Sequence, residues 1–140
     1  AGWPTGVQAS LTAAEVFEER GLSLGELPRA PDGTEAATPS SLSDAYAAVP
    51  RLGELRNSLL YGNIWERPLL SKRDRSLITV ASLIALYRTD QLRGHLGRAL
   101  DNGVTREEIA EVITHMAFYG GWPTGSTGAR IAKEVFDERS

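Results

Sequence analysis

Apolar residues recur along this chain at helical spacing, and no stretch alternates with the period of two that a half-buried strand requires. From Asp44 the pattern predicts a short helix near 44–48 and another at about 51–61, followed by a loop holding Trp65, Glu66, Arg67 and Pro68. Residues 72–87 are charged at the start and then apolar on most sides, as expected of a central helix running through a core. In the next helix, about 89–101, Leu92, Leu96, Ala99 and Leu100 share one stripe, and His95 falls on it by the i, i+3, i+4, i+7 rule. Asn102 and Gly103 end that helix, since glycine tolerates the left-handed conformation that commonly closes one. Thr105 and Glu108 then form a Thr-x-x-Glu capping box ahead of an apolar face of Ile109, Val112, Ile113, Met116 and Ala117. Gly120, Gly121 and Pro123 break this helix, and the last one turns Ile131, Ala132, Val135 and Phe136 inward. The fold class predicted is all-α, a multi-helix bundle.

The chain also repeats its own end. Gly-Trp-Pro-Thr-Gly occurs at 2–6 and at 121–125, and aligning 1–20 with 120–139 gives eleven identities. Residues 1–20 therefore read as the closing loop and helix of a domain whose remainder is absent, although a local duplication without function gives the same pattern. Residues 21–43 hold three of the seven prolines and little apolar periodicity, and read as a linker. Residues 44–140 make the complete domain.

At 140 residues, with 41% hydrophobic and 24% charged positions and a net charge of −3, the chain has the composition of one globular domain and not of a nucleic-acid binder. The longest apolar stretch, Leu77 to Tyr87, is interrupted by Thr79 and Ser82 and is too short to span a bilayer. No basic, apolar signal sequence opens the chain, so the cytoplasm is the expected location. The absence of cysteine excludes disulfides, thiolate metal sites and thiol-based redox cycles.

Candidate chemistry centres on His95. A histidine on an apolar stripe is either a core residue satisfied by its neighbours or a functional group. Glu66, Arg67, Arg73, Asp74 and Arg75 crowd the loop and first turn of the helix preceding it. Such charges are buried only when paired, and an inward cluster of Glu, Arg and His would form a pocket with tuned acid/base groups and a cationic anchor for an anion. Arg73 and Arg75 are equally compatible with solvation at a helix start, and Glu66 with a surface position. His115 and His95 lie twenty residues apart without an acidic spacing motif and fit no usual metal-ligand pattern, so no metal is expected. The loop from Gly120 to Gly125 lacks the Gly-Lys-Ser/Thr ending of a phosphate loop and reads as a tight interhelical turn whose Trp122 covers a cavity.

The run His95, Ala99, Leu100, Gly103, Thr105, Glu108, Ile109, Glu111, continued by Tyr119, Gly121 and Pro123, resembles the carboxymuconolactone decarboxylase family. Trp65-Glu-Arg-Pro-Leu-Leu and Arg73-Asp-Arg-Ser-Leu resemble that family's approach to its core helix. The resemblance covers about 44–140, and residues 1–20 resemble the end of a second copy, as in tandem-domain members. It implies the alkylhydroperoxidase-like all-α fold and homo-oligomers, trimers or hexamers, that exchange helices. The peroxide-reducing branch carries Cys-x-x-Cys-x-x-x-His, but Arg88 and Gln91 stand at the two cysteine positions here, which removes the thiolate that peroxide reduction requires.

The decarboxylase branch implies a lyase without cofactor. Its substrate, γ-carboxymuconolactone, loses carbon dioxide as electrons flow through a conjugated double bond to the lactone carbonyl, and the enzyme must hold carboxylates, stabilise the dienolate and return a proton. By this resemblance His95 is the proton donor and Glu66 its partner or second acid/base group. Arg75 or Arg73 anchors the anion, and Tyr119 and Trp122 shape the wall. The partner expected is a small-molecule substrate, a cyclic carbonyl-activated acid or related intermediate. The alternative is a non-catalytic ligand-binding or assembly domain, and the two differ in whether His95, Glu66 and Arg75 converge on an open cavity or are separately satisfied. Residues 1–20 are either an element exchanged with a neighbouring subunit or a remnant of a processed chain.

Overall fold

The computed structural model describes residues 2–21 and 46–140, and every regular element among them is helical. Helix α1 spans Trp3–Glu19, α2 Pro50–Leu55, α3 Lys72–Ala85, α4 Thr89–Asp101, α5 Arg106–Gly120 and α6 Trp122–Glu138. Among the described residues no helix is long and apolar enough to cross a membrane. The expected linker 21–43 falls almost wholly outside the described residues, as does the start of the helix expected at 44–48, of which Tyr46–Ala48 form only a turn. The helix expected over 51–61 begins one residue earlier, with proline in its first turn, where the missing N–H costs nothing. At Arg56 it changes from α to π geometry, which continues to Tyr61, and a 3₁₀ turn follows at Ile64–Glu66.

Each boundary has a local cause. Ser71 caps α3 by accepting the amide of Asp74 at 3.0 Å. Helix α4 ends in a Schellman arrangement, with Gly103 at φ 86° and the amides of Val104 and Gly103 donating to the carbonyls of Ala99 and Leu100. The capping box of α5 is complete, Thr105 and Glu108 each accepting the other's amide. Helices α5 and α6 are joined by a single residue, Gly121, at φ 97°, where a side chain would be strained.

The core lies among α3, α4, α5 and α6. Val80 and Ile84 of α3, Leu92, Leu96 and Ala99 of α4, Ile109 and Ile113 of α5, and Ile131, Ala132 and Val135 of α6 are all buried in one cluster. Helix α3 packs on α4, α5 and α6 as a central helix should. It is less enclosed than its composition suggests, because Ile78 is 54% exposed. Two clamps fasten α6 to α4 at the surface: Arg93 reaches Glu134 and Glu138, and Arg139 reaches Asp101.

Candidate functional site

A cleft of about 830 Å³ opens between the segment 46–64 and the outer sides of α4 and α6. Leu52, Leu55, Leu59 and Leu60 form one wall, and His95, Arg98 and Arg56 reach into it. This size suits a small molecule, and a largely apolar surface with a few convergent polar groups is the usual make-up of such a site.

Helix α4 dictates the placement of His95. Its stripe of Leu92, Leu96 and Ala99 is fully buried, and His95 sits at the edge of that stripe, half-buried. The imidazole tilts against the buried Trp65, with ring centroids 6.3 Å apart, and its Nδ1 is buried without a hydrogen-bond partner. An orphaned polar atom of this kind marks a group whose partner arrives with a ligand or water, or a catalytic role. The pKa of His95 is lowered, first by burial, then by the charge of Arg98 and then by that of Arg56. At neutral pH the imidazole is therefore uncharged in the free protein.

One ring organises both cations. The guanidinium of Arg98 lies 4.5 Å from the centroid of the buried Tyr61 and 5.6 Å from that of Trp65. Arg56 lies 4.6 Å from the same Tyr61 ring and 5.5 Å from Tyr46, and also donates to Asn57. The π turn makes this possible. On a regular α-helix residues i and i+5 point roughly 140° apart, whereas the wider π turn brings Arg56 and Tyr61 together. Of the other cations on the cleft, Arg93 and Arg139 have carboxylate partners, but no described carboxylate lies within ion-pairing distance of Arg98. Stacking on aromatic faces holds a guanidinium in place while leaving its N–H edge able to bind an anion.

The other residues singled out by sequence lie elsewhere. Glu66 pairs with Lys72 at 2.9 Å and does not line the cleft. Arg73 is paired with Glu108 and so ties the start of α3 to the capping box of α5. Arg75 donates to the carbonyl of Arg67 at 2.9 Å, which fastens the loop before α3. Tyr119 is 77% exposed and stacks on His115 at 4.6 Å, and Trp122, 68% exposed, meets Phe118 edge-on. Neither ring lines the cleft, and Trp122 lies at the surface instead of covering it. His95 opens onto a cleft, while Glu66 is paired away from it and Arg75, whose Nη2 is held by Arg67 but whose Nε is buried without a partner, does not line it. Tyr61, Arg56 and Arg98 escaped the sequence reading, although Arg98 stood three residues after His95 and thus on the same side of α4.

Residues 50–134 match the carboxymuconolactone decarboxylase family. The chain belongs to that family. It is 44% identical over 78 residues to 4-carboxymuconolactone decarboxylase of Acinetobacter baylyi, covering 56% of this chain and 58% of that one. It is 38% identical over 71 residues to nitrosuccinic acid decarboxylase of Metarhizium robertsii, covering 51% and 50%. An uncharacterised 15.0 kDa protein of Paracoccus denitrificans is 30% identical over 92 residues, 64% of this chain and 69% of that one. The chain thus spans only about half to three fifths of the two named decarboxylases it resembles. Every element from α2 to the body of α6, including the π turn, falls within the family match.

Proposed function

We propose that this chain is a decarboxylase needing no cofactor, acting on a small acid that carries a second anionic group and an electron acceptor beside the departing carboxylate. The observation that carries this reading is the cleft itself: an uncharged, partly unsatisfied His95 beside two guanidiniums held on the face of Tyr61. Two relatives named as decarboxylases supply the reaction class. The acids in their names share a chemistry, since a lactone carbonyl or a nitro group can take up the electron pair that carbon dioxide leaves behind.

The steps follow from the charges. A substrate carboxylate pairs with Arg98, with the charge of Arg56 on the same Tyr61 ring adding to the field. Burial lowers the His95 pKa most, and the substrate's negative charge offsets the two cations that lower it further, which favours the protonated imidazole in the complex over the free protein. Carbon dioxide then leaves, the electron pair moves onto the acceptor, and the carbanionic carbon takes the proton from His95. One carboxylate and one proton become carbon dioxide and a C–H bond, with His95 restored. Glu66 has no part in this sequence, because it is tied to Lys72.

The test is carbon dioxide release from 4-carboxymuconolactone and from nitrosuccinate by the protein and by His95→Ala side by side. Release that is lost in the variant, with helicity unchanged, is the expected result. Undiminished turnover in His95→Ala refutes its role, and no release from either acid by the parent protein overturns the decarboxylase reading.

A further inference from the structure

Helix α4 carries two glycines in its interior, Gly94 and Gly97, and both line the cleft. Glycine inside a helix is destabilising relative to alanine, because more backbone freedom is lost there and no side-chain contact is gained. At Gly97 packing explains the choice. A Cβ there would lie 3.0 Å from Nη2 of Arg139, so the bare position leaves room for the clamp between Arg139 and Asp101.

No such account covers Gly94. Every other glycine from residue 46 onward either has a heavy atom within 4 Å of where its Cβ would stand or lies at positive φ. Gly94 has neither, and among the described residues its missing side chain leaves open space on the cleft. It directly precedes His95 and stands one helical turn before Arg98, and residues four apart on a helix are neighbours. A helical side chain leans over the turn N-terminal to its own Cα, so Arg98 is the residue placed to cover Gly94. It does not do so, because its guanidinium is drawn aside onto the faces of Tyr61 and Trp65. Bare backbone is left beside the imidazole and one turn from the anion-binding guanidinium.

We infer that Gly94 is a substrate-contact position, where the absence of a side chain lets the flat body of an acid lie against the α4 backbone while its carboxylate is held by Arg98. Dispersion contact falls off steeply with separation, so a flat body gains most from a surface without projections. A methyl at this position would prop such a body away from the helix and draw its carboxylate off Arg98. A flexible chain can bend around the same methyl. The inference rests on the reading above only in that an acid occupies this cleft.

Gly94→Ala and Gly94→Leu in the whole chain test it, because both residues favour a helix over glycine and the added Cβ meets no described atom. The Tm of Gly94→Ala should rise by about 4–8 °C. Isophthalate, a planar diacid, and succinate, a flexible one, are titrated calorimetrically into the parent and both variants. The expected result is isophthalate binding weakened roughly tenfold or more in Gly94→Ala and lost in Gly94→Leu, with succinate weakened less in each. A fall in Tm, an unchanged isophthalate affinity in either variant, or losses for succinate as large as those for isophthalate overturns the inference. So does a parent protein that binds no isophthalate, whatever the carbon dioxide test gives. The expected affinities in a protein that releases no carbon dioxide support the contact and overturn only the reaction.

Discussion

Two glycines one turn apart on α6 should respond to the same substitution with opposite signs. Alanine in place of a helix-interior glycine is worth about 1 kcal/mol through helix propensity alone. At Gly128 the added methyl meets Ile113 and Ile84 at 3.6 to 3.7 Å, which is contact without compression, so Gly128→Ala should stabilise by about 1 kcal/mol. For a bundle of this size that raises Tm by about 4–8 °C. At Gly125 the methyl arrives 2.6 Å from the Ala117 Cβ, which is fixed to the backbone and cannot rotate away. Overpacking costs about 1–3 kcal/mol, and less the propensity gain Gly125→Ala should destabilise by up to about 2 kcal/mol. Urea unfolding followed by circular dichroism measures both. Adding Ala117→Gly to Gly125→Ala should return part of the loss, which a double-mutant cycle reads directly. If Gly125→Ala stabilises as much as Gly128→Ala, the close approach of α5 and α6 is not what fixes the glycine.

Three further outcomes are expected. Arg98→Leu removes the charge that acts more strongly on His95, so the His95 pKa should rise, measured by NMR titration in a His115→Asn background that leaves one imidazole, and KM should rise roughly 10- to 150-fold if one charge-assisted carboxylate contact is lost. The folded-state pKa of His95 lies below the unfolded value of about 6.5, so the unfolded chain binds more protons between the two values. Stability should therefore be fully present above about pH 6.5 and fall as the pH drops below it, by less in His95→Gln than in the parent, as denaturant titrations across about pH 5–7 would record. Thr105→Ala should cost about 1 kcal/mol by opening the α5 capping box, with no change in the pKa of His95.

The fold was legible where a local rule fixes a boundary or a face. Thr105 and Glu108 announced the start of α5, Gly103 the end of α4, and the spacing of Leu92, Leu96 and Ala99 placed His95 at an inner edge. The site was legible only in that one residue. Arg56 and Tyr61 are five apart, a spacing without meaning on an α-helix, and only the π turn brings them together. Glu66, Arg73 and Arg75 were conspicuous as a run of charge, yet Glu66 and Arg75 are engaged by Lys72 and Arg67 within the loop and first turn of α3, and Arg73 by Glu108 across the packing of α3 on α5. Arg98 looked like any solvated helix arginine, because the burial of Tyr61 and Trp65 beneath it is a tertiary fact. Tyr119 and Trp122 belong to the family motif, but a motif carries no information about which side of the α5 to α6 turn faces the cleft.

The two walls of the cleft differ in how they are attached to the molecule. His95 and Arg98 stand on α4, whose neighbouring side chains are core, whereas Leu52, Leu55, Leu59 and Leu60 all come from one continuous stretch and none belongs to the core cluster. Changes in that stretch can alter the width and lining of the cleft at little cost to the stability of α3 to α6. The arrangement separates a fixed half on α4, which holds the proton and Arg98, from four leucines that meet the body of the ligand. Lineages that diverge in substrate should then differ first at Leu52, Leu55, Leu59 and Leu60, and a library confined to those four positions is the shortest route to new specificity on this scaffold.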